Sequence, residues 1–206
     1  MLIASQYFRV RGSGLVEFVI SIALAGAVIV SFSSSFITGR VQSTRAEHAY
    51  QVQQEAQSMI TIIQRELARA GYMKRGQAQL GNTNPFVYQE SKLYQLNDSA
   101  DCITYRYDRD KNGQLNQESF GFRLKNGGIQ QRKGSAVNCG GGLGWETISD
   151  TDNVVITQLT FTLTHVNNAQ LAMLKTYVHM QLKMRHRRTE NAEISLVRRV
   201  LARVIL

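Results

Sequence analysis

Apolar residues run almost without interruption from Leu15 to Ile37, and Glu17 is the one charged residue among them. A bilayer crossing needs roughly 20 mainly apolar residues, so the run is long enough to span. Beyond it the pattern becomes amphipathic. Thr38 to Gly71 holds no proline and is rich in Gln, Ala, Glu and Arg, residues compatible with a helix. Within it Val52, Ala56, Met59, Ile60, Ile63 and Leu67 recur at steps of three and four, which draws one apolar face. Gly39 is tolerated but loosens the junction between the two halves. The sequence ARAGY predicts a helix end near Gly71, a natural C-cap after basic Arg65 and Arg69. A helix from Ser13 to Ala70 is about 90 Å long at the usual rise per residue.

After Gly71 the period shortens from helix to strand. Arg75 to Pro85 is a polar, glycine-bearing linker. Extended segments are predicted at Lys92–Leu96, Cys102–Tyr107, Phe120–Lys125, Ile129–Arg132, Val154–Thr164 and Lys175–Met184. Several of them alternate apolar and polar residues, as a half-buried antiparallel sheet does. Asn126-Gly127 sits between two of them as a hairpin signal. Ala192 to Leu206 fits a strand and, in part, a helix; a strand is expected. GGGLGW, Gly140 to Trp145, is expected to be a flexible loop; it lacks the strand and helix that frame a phosphate cradle. The fold class is therefore α+β, a long N-terminal helix followed by an antiparallel β-sheet domain.

The twelve residues before the span, MLIASQYFRVRG, carry Arg9 and Arg11 and no acid. The positive-inside rule keeps that end cytoplasmic and places the chain beyond the span in the periplasm. A secretory signal peptide has a shorter apolar region, with its cleavage residues after that region rather than before it. A carboxylate near the centre of a span costs about 2.5–3.5 kcal/mol, less near an edge, so Glu17 calls for compensation.

The order basic leader, Gly12, four residues, Glu17, apolar helix resembles the class III signal of type IV prepilins and pseudopilins. Gly12, Leu15, Val16, Glu17 and the run behind them carry that resemblance. It implies that a prepilin peptidase cuts between Gly12 and Ser13 on the cytoplasmic face and methylates the new amino terminus. Most relatives carry Phe where Ser13 stands. Glu17, then the fifth residue, would pair with the free amine of a neighbouring subunit during assembly. The segment QQEAQSMITIIQRELARAGYM, with Trp145 downstream, is similar to PilW-type minor pilins and to the J-type minor pseudopilins of type II secretion. The implied organisation is a leader over 1–12, a transmembrane segment over 13–37, its amphipathic periplasmic continuation over 38–71 and a β-rich periplasmic domain over 72–206. The expected protein is a single-pass inner-membrane minor pilin that primes a type IV pilus and enters it at or near the tip. Its partners would be the prepilin peptidase, other minor pilins and the major pilin. The alternatives are a minor pseudopilin of type II secretion, or a membrane-anchored adhesin or DNA-binding pilus subunit.

Composition adds candidate chemistry. Cys102 and Cys139 are the only cysteines; an even pair in a periplasmic domain predicts a disulfide, worth roughly 3 to 4 kcal/mol in the chain-entropy model. Asp108, Asp110, Asn112 and Gly113 reproduce the D-x-D-x-N-G opening of a calcium loop. The closing acid belongs at the twelfth position, yet Ser119 stands there and Glu118 comes one residue early. A solvated turn is therefore expected, with calcium as the alternative and no other cofactor. His48, His165, His179 and His186 form no H-x-x-x-H and no pairing with cysteine, and no catalytic residue or enzyme activity is expected. The chain's net charge of +9 includes the run KMRHRR. Arg185, Arg187 and Arg188 in it are candidates for DNA contact, but phosphate contacts alone bind weakly and lose hold in salt. Stacking aromatics are absent from the run, so a solvated strand face or a contact with an acidic neighbour is expected.

Overall fold

The computed structural model describes residues 14–74, 93–115, 117–134, 138–141, 144–168, 173–189 and 193–201. The chain divides into two units, 1–46 and 47–206. Helix α1, Gly14–Leu67, supplies the described part of the first and opens the second.

In the first unit every described side chain is exposed, large apolar ones included: Leu15 at 80% and Phe32 at 74%. The helix is long and apolar enough to cross a membrane. Five of the hydroxyls in its apolar stretch are satisfied within it. Ser21 donates to the Glu17 carbonyl, Ser31 to Ala27, Ser34 and Ser35 to Ser31, and Thr38 to Ser34, all at 2.7–3.0 Å. Such back-bonding spares these five hydroxyls the need for water.

In the second unit Val52, Ala56, Met59, Ile60, Ile63 and Leu67 are buried, the six positions that the period marks. The helix closes at Leu67, before the expected Gly71. The last turn tightens, Arg69 N bonding to Glu66 O and Ala70 N to Leu67 O at 3.1 Å, the three-residue bonds common at helix ends. Gly71 takes the left-handed conformation at φ 78°, but its N–H goes to the Arg106 carbonyl of the sheet at 2.9 Å. The Tyr94 hydroxyl donates to the Leu67 carbonyl and completes the cap.

Two antiparallel sheets succeed the helix. The first is a meander of β1 (Tyr94–Leu96), β2 (Cys102–Arg106), β3 (Ser119–Lys125), β4 (Gly128–Lys133) and β5 (Trp145–Thr147). The second is β6 (Val154–Asn168), β7 (Met173–His186) and β8 (Glu193–Leu201). Asn126 and Gly127, both at positive φ, make the predicted β3–β4 turn with the twist that a tight hairpin needs. β8 pairs with β7 from Arg185↔Glu193 to Tyr177↔Leu201, and that ladder decides for strand where the sequence pattern fits both. β6 and β7 outrun their predicted lengths because they pair as far as Asn168↔Met173. The predicted linker at Arg75–Pro85 and the last five residues lie outside the described residues.

Inner faces of both sheets join the helix stripe in one core, with Tyr105, Phe122, Ile129, Leu159, Phe161, Val178 and Met180 among its buried members. Tyr105, Tyr107, Phe120 and Phe122 stack beside one another. β3 is also buried on its other face, because the Trp145 ring lies there. That corrects the expectation for GGGLGW: Trp145 is not in a free loop but opens β5, opposite Arg132, with the Arg123 guanidinium 4.3 Å from its ring centroid.

Trp145 fits against a missing side chain. A Cβ at Gly121 would stand 2.9 Å from the Ile103 carbonyl oxygen and 3.1 Å from the indole. We expect Gly121→Ala to cost about 1–3 kcal/mol, as overpacking does. Chemical unfolding checks it, with Trp145, the one tryptophan, shifting its emission as it is displaced.

Candidate functional site

The resemblance of the leader implies processing at Gly12 and Ser13 and an assembly role for Glu17. Gly12 and Ser13 lie outside the described residues. Glu17 stands in the first turn of α1, where a carboxylate interacts favourably with the helix dipole. Leu24, Ala27, Val28, Ser31, Phe32 and Ser35 line a shallow groove along the same helix; its Ala and Ser positions leave room for close approach.

Cys102 of β2 is disulfide-bonded to Cys139, their Cα atoms 6.0 Å apart. The bridge lies on the outer face of the first sheet. Arg123, abreast of Cys102 in the ladder, donates from Nη1 to the Cys139 and Gly141 carbonyls at 3.0 Å. Stacked on Trp145 as well, its guanidinium ties the β4–β5 loop to the sheet. Burial and the nearby Arg132 charge lower its pKa.

The β2–β3 connection departs most from expectation. Asp108 is not part of a solvated turn; it is 1% exposed. It leaves β2 just after Arg106, and its own N–H donates to the Tyr72 carbonyl at 2.8 Å. Its Oδ1 accepts from Asn112 N, and its Oδ2 from Lys74 N and Gly113 N, at 3.0–3.1 Å. Burial raises its pKa, but these amide donors outweigh it and the net shift is downward. Asp110 accepts from the Asn112 backbone and side-chain amides, and Asn112 Oδ1 from Gln114 N. Glu118, which the twelve-residue spacing passes over, folds into the same cluster. Its Oε1 accepts from Arg109 N at 2.6 Å and from Asp110 N at 3.1 Å. One carboxylate oxygen each from Asp108, Asp110 and Glu118 lies within 4.8 Å of the others. Strand register, not local spacing, carries Glu118 there: Arg106 pairs with Ser119, so the next residues along the two chains, Tyr107 and Glu118, come abreast.

The basic run is not one continuous cationic surface. Arg185 lies on β7, between its ladder partners Val155 and Glu193, whereas Arg187 and Arg188 come after the strand's end. Arg187 Nε and Nη2 both donate to the Thr151 carbonyl, at 3.1 and 2.7 Å, an anchoring of the β5–β6 turn. Arg188 is exposed.

A family model described as prepilin peptidase-dependent protein B matches residues 45–202. No curated protein and no solved structure matches the chain.

Within the matched span, two histidines meet that sequence separation keeps apart. The rings of His48 on α1 and His186 at the end of β7 stack with centroids 3.8 Å apart and planes 11° from parallel. His48 Nδ1 bonds to Thr189 Oγ1 at 2.8 Å, and His186 Nδ1 accepts from Arg188 N at 3.2 Å. The one sequence signal is periodic: His48 lies four residues before Val52, and His186 continues the buried alternation of Leu182 and Met184. Burial foremost, then His48 and Arg188, lower the His186 pKa. The folded chain thus binds its proton less readily than the unfolded chain, whose His titrates near about 6.5. Stability is complete above that pH and is lost as the pH falls from there towards the lower folded pKa. Thermal melts at pH 7.5 and 5.5 check this: the midpoint falls in acid, and by less in His186→Phe.

Proposed function

The chain belongs to the prepilin peptidase-dependent protein B family, and from that premise we propose that it is a minor pilin. It is made as a prepilin, cleaved after Gly12, and taken with other minor subunits and the major pilin into a type IV pilus, at or near the tip, where it primes assembly. One observation carries the proposal: a protein of this family begins with a basic leader, Gly12 and Glu17, and continues into an apolar helix whose described side chains up to Ala46 are exposed.

The chemistry resides at the ends of the span. Arg9 and Arg11 hold the leader on the cytoplasmic face, so the helix crosses the inner membrane once and the sheets stand in the periplasm. Cleavage exposes the Ser13 amine four residues before Glu17 in the sequence, and the peptidase methylates it. In the filament the Glu17 carboxylate meets the amine of a neighbouring subunit. That pairing offsets an intramembrane charge worth about 2.5–3.5 kcal/mol near the bilayer centre and fixes one axial register. The role is structural, and no residue is assigned to catalysis.

Intact mass and N-terminal sequencing of the membrane-extracted protein, with and without prepilin peptidase, test the pathway. The expected product starts at Ser13 and carries one added methyl group; a retained Met1 with active peptidase would sink the proposal. Glu17→Ala should still be inserted and cleaved but be lost from sheared filaments. Incorporation equal to the unaltered protein would remove Glu17 from the assembly step.

A further inference from the structure

The carboxylates of the β2–β3 connection have no part in the assembly role, yet three of them gather in one place. Asp108 and Glu118 are 1% and 8% exposed, and Asp110 opens to solvent. Three carboxylates with oxygens within 4.8 Å of one another repel, the more so where water is withdrawn. Among the described residues no Lys, Arg or His side chain forms an ion pair with any of them. Backbone amides occupy both Asp108 oxygens and Glu118 Oε1. Glu118 Oε2 is different: it is buried and has no hydrogen-bond partner. A buried carboxylate oxygen without a donor bears its desolvation uncompensated, and what would compensate it is a cation.

We propose that Asp108, Asp110 and Glu118 bind a divalent cation, and that the cation is calcium. The donors are all hard oxygens, and both cysteines are held in the disulfide, which excludes the soft set that zinc or copper favours. Calcium accepts six to eight oxygens in flexible geometry, whereas magnesium requires a near-octahedral shell and keeps much of its water. The D-x-D-x-N-G order opens the loop in the usual way, and its early closing acid is explained by the strand pair. A ladder ending at Arg106↔Ser119 delivers Glu118 where a helix would have delivered the twelfth residue. Asp108 also holds Tyr72 and Lys74 through the backbone, so the cation would fasten the chain as it leaves α1.

The test uses the full-length protein in detergent micelles with calcium chloride alone, by titration calorimetry and thermal melting. The expected dissociation constant is about 10⁻⁴–10⁻³ M, the range of extracellular calcium modules, with a higher melting midpoint. Magnesium at equal concentration should give a smaller shift. Asp110→Asn and Glu118→Gln should each weaken binding by about tenfold or more. Asp110 is exposed, so if Glu118→Gln fails to fold, Asp110→Asn with an unchanged circular dichroism spectrum decides alone. Absence of heat and of any shift in the unaltered protein at about ten times that concentration overturns the proposal. So does equal affinity in Asp110→Asn, and an equal response to magnesium overturns the choice of calcium.

Discussion

The contact on which the second unit depends is the stripe Val52, Ala56, Ile60, Ile63 and Leu67, each at 0–1% exposure, set into a core shared with both sheets. The sheets share no strand ladder; bonds such as Ile156 N to Gly127 O and Phe161 N to Ala100 O join them at points. Burial of a Val, Ile or Leu side chain is worth about 1.5–3 kcal/mol, so the four such positions, Val52, Ile60, Ile63 and Leu67, exceed what those few bonds supply. The helix also reaches each sheet by polar contacts. Leu67 O takes the Tyr94 hydroxyl, Glu55 Oε1 takes Asp150 N, and His48 meets His186 and Thr189. This helix face gives the apolar sides of both sheets a common partner.

How much is legible in the sequence depends on the range of the interactions. The helix stripe and the Asn126-Gly127 turn are local patterns, and they read directly from the chain. β8 is ambiguous because nine residues of mixed pattern fit two periods, and the β7 ladder that decides lies outside them. β5 escapes a reading of the sequence because three residues after a glycine run show no alternation; Trp145 is held by Arg123, Arg132 and the space over Gly121. The acidic loop is half legible. Asp108, Asp110 and Asn112 obey a local order, while Glu118 arrives through the register of two strands. The burial of Asp108 is not legible, since it rests on the Tyr72 carbonyl and the Lys74 amide beyond the helix end.

The family match and the leader occupy different parts of the chain. The match starts at residue 45, close to the division between the two units, and leaves the apolar half of α1 outside it. What places the protein in its family is therefore the β-rich unit with the amphipathic turns of the helix. What suggests how it is processed lies in the first seventeen residues. Neither observation is borrowed from the other, and both lead to the same peptidase.

The hydroxyls of Ser21, Ser31, Ser34, Ser35 and Thr38 all donate to carbonyls of their own helix. A rod built in this way is self-contained, for it takes its polar bonds along when its surroundings change. Exchange of acyl chains for the side chains of another subunit would break none of these five bonds. On the proposed pilin role, a subunit that passes from one apolar medium to another would be served by that indifference. In that role Glu17 would be the residue by which the helix distinguishes the two settings.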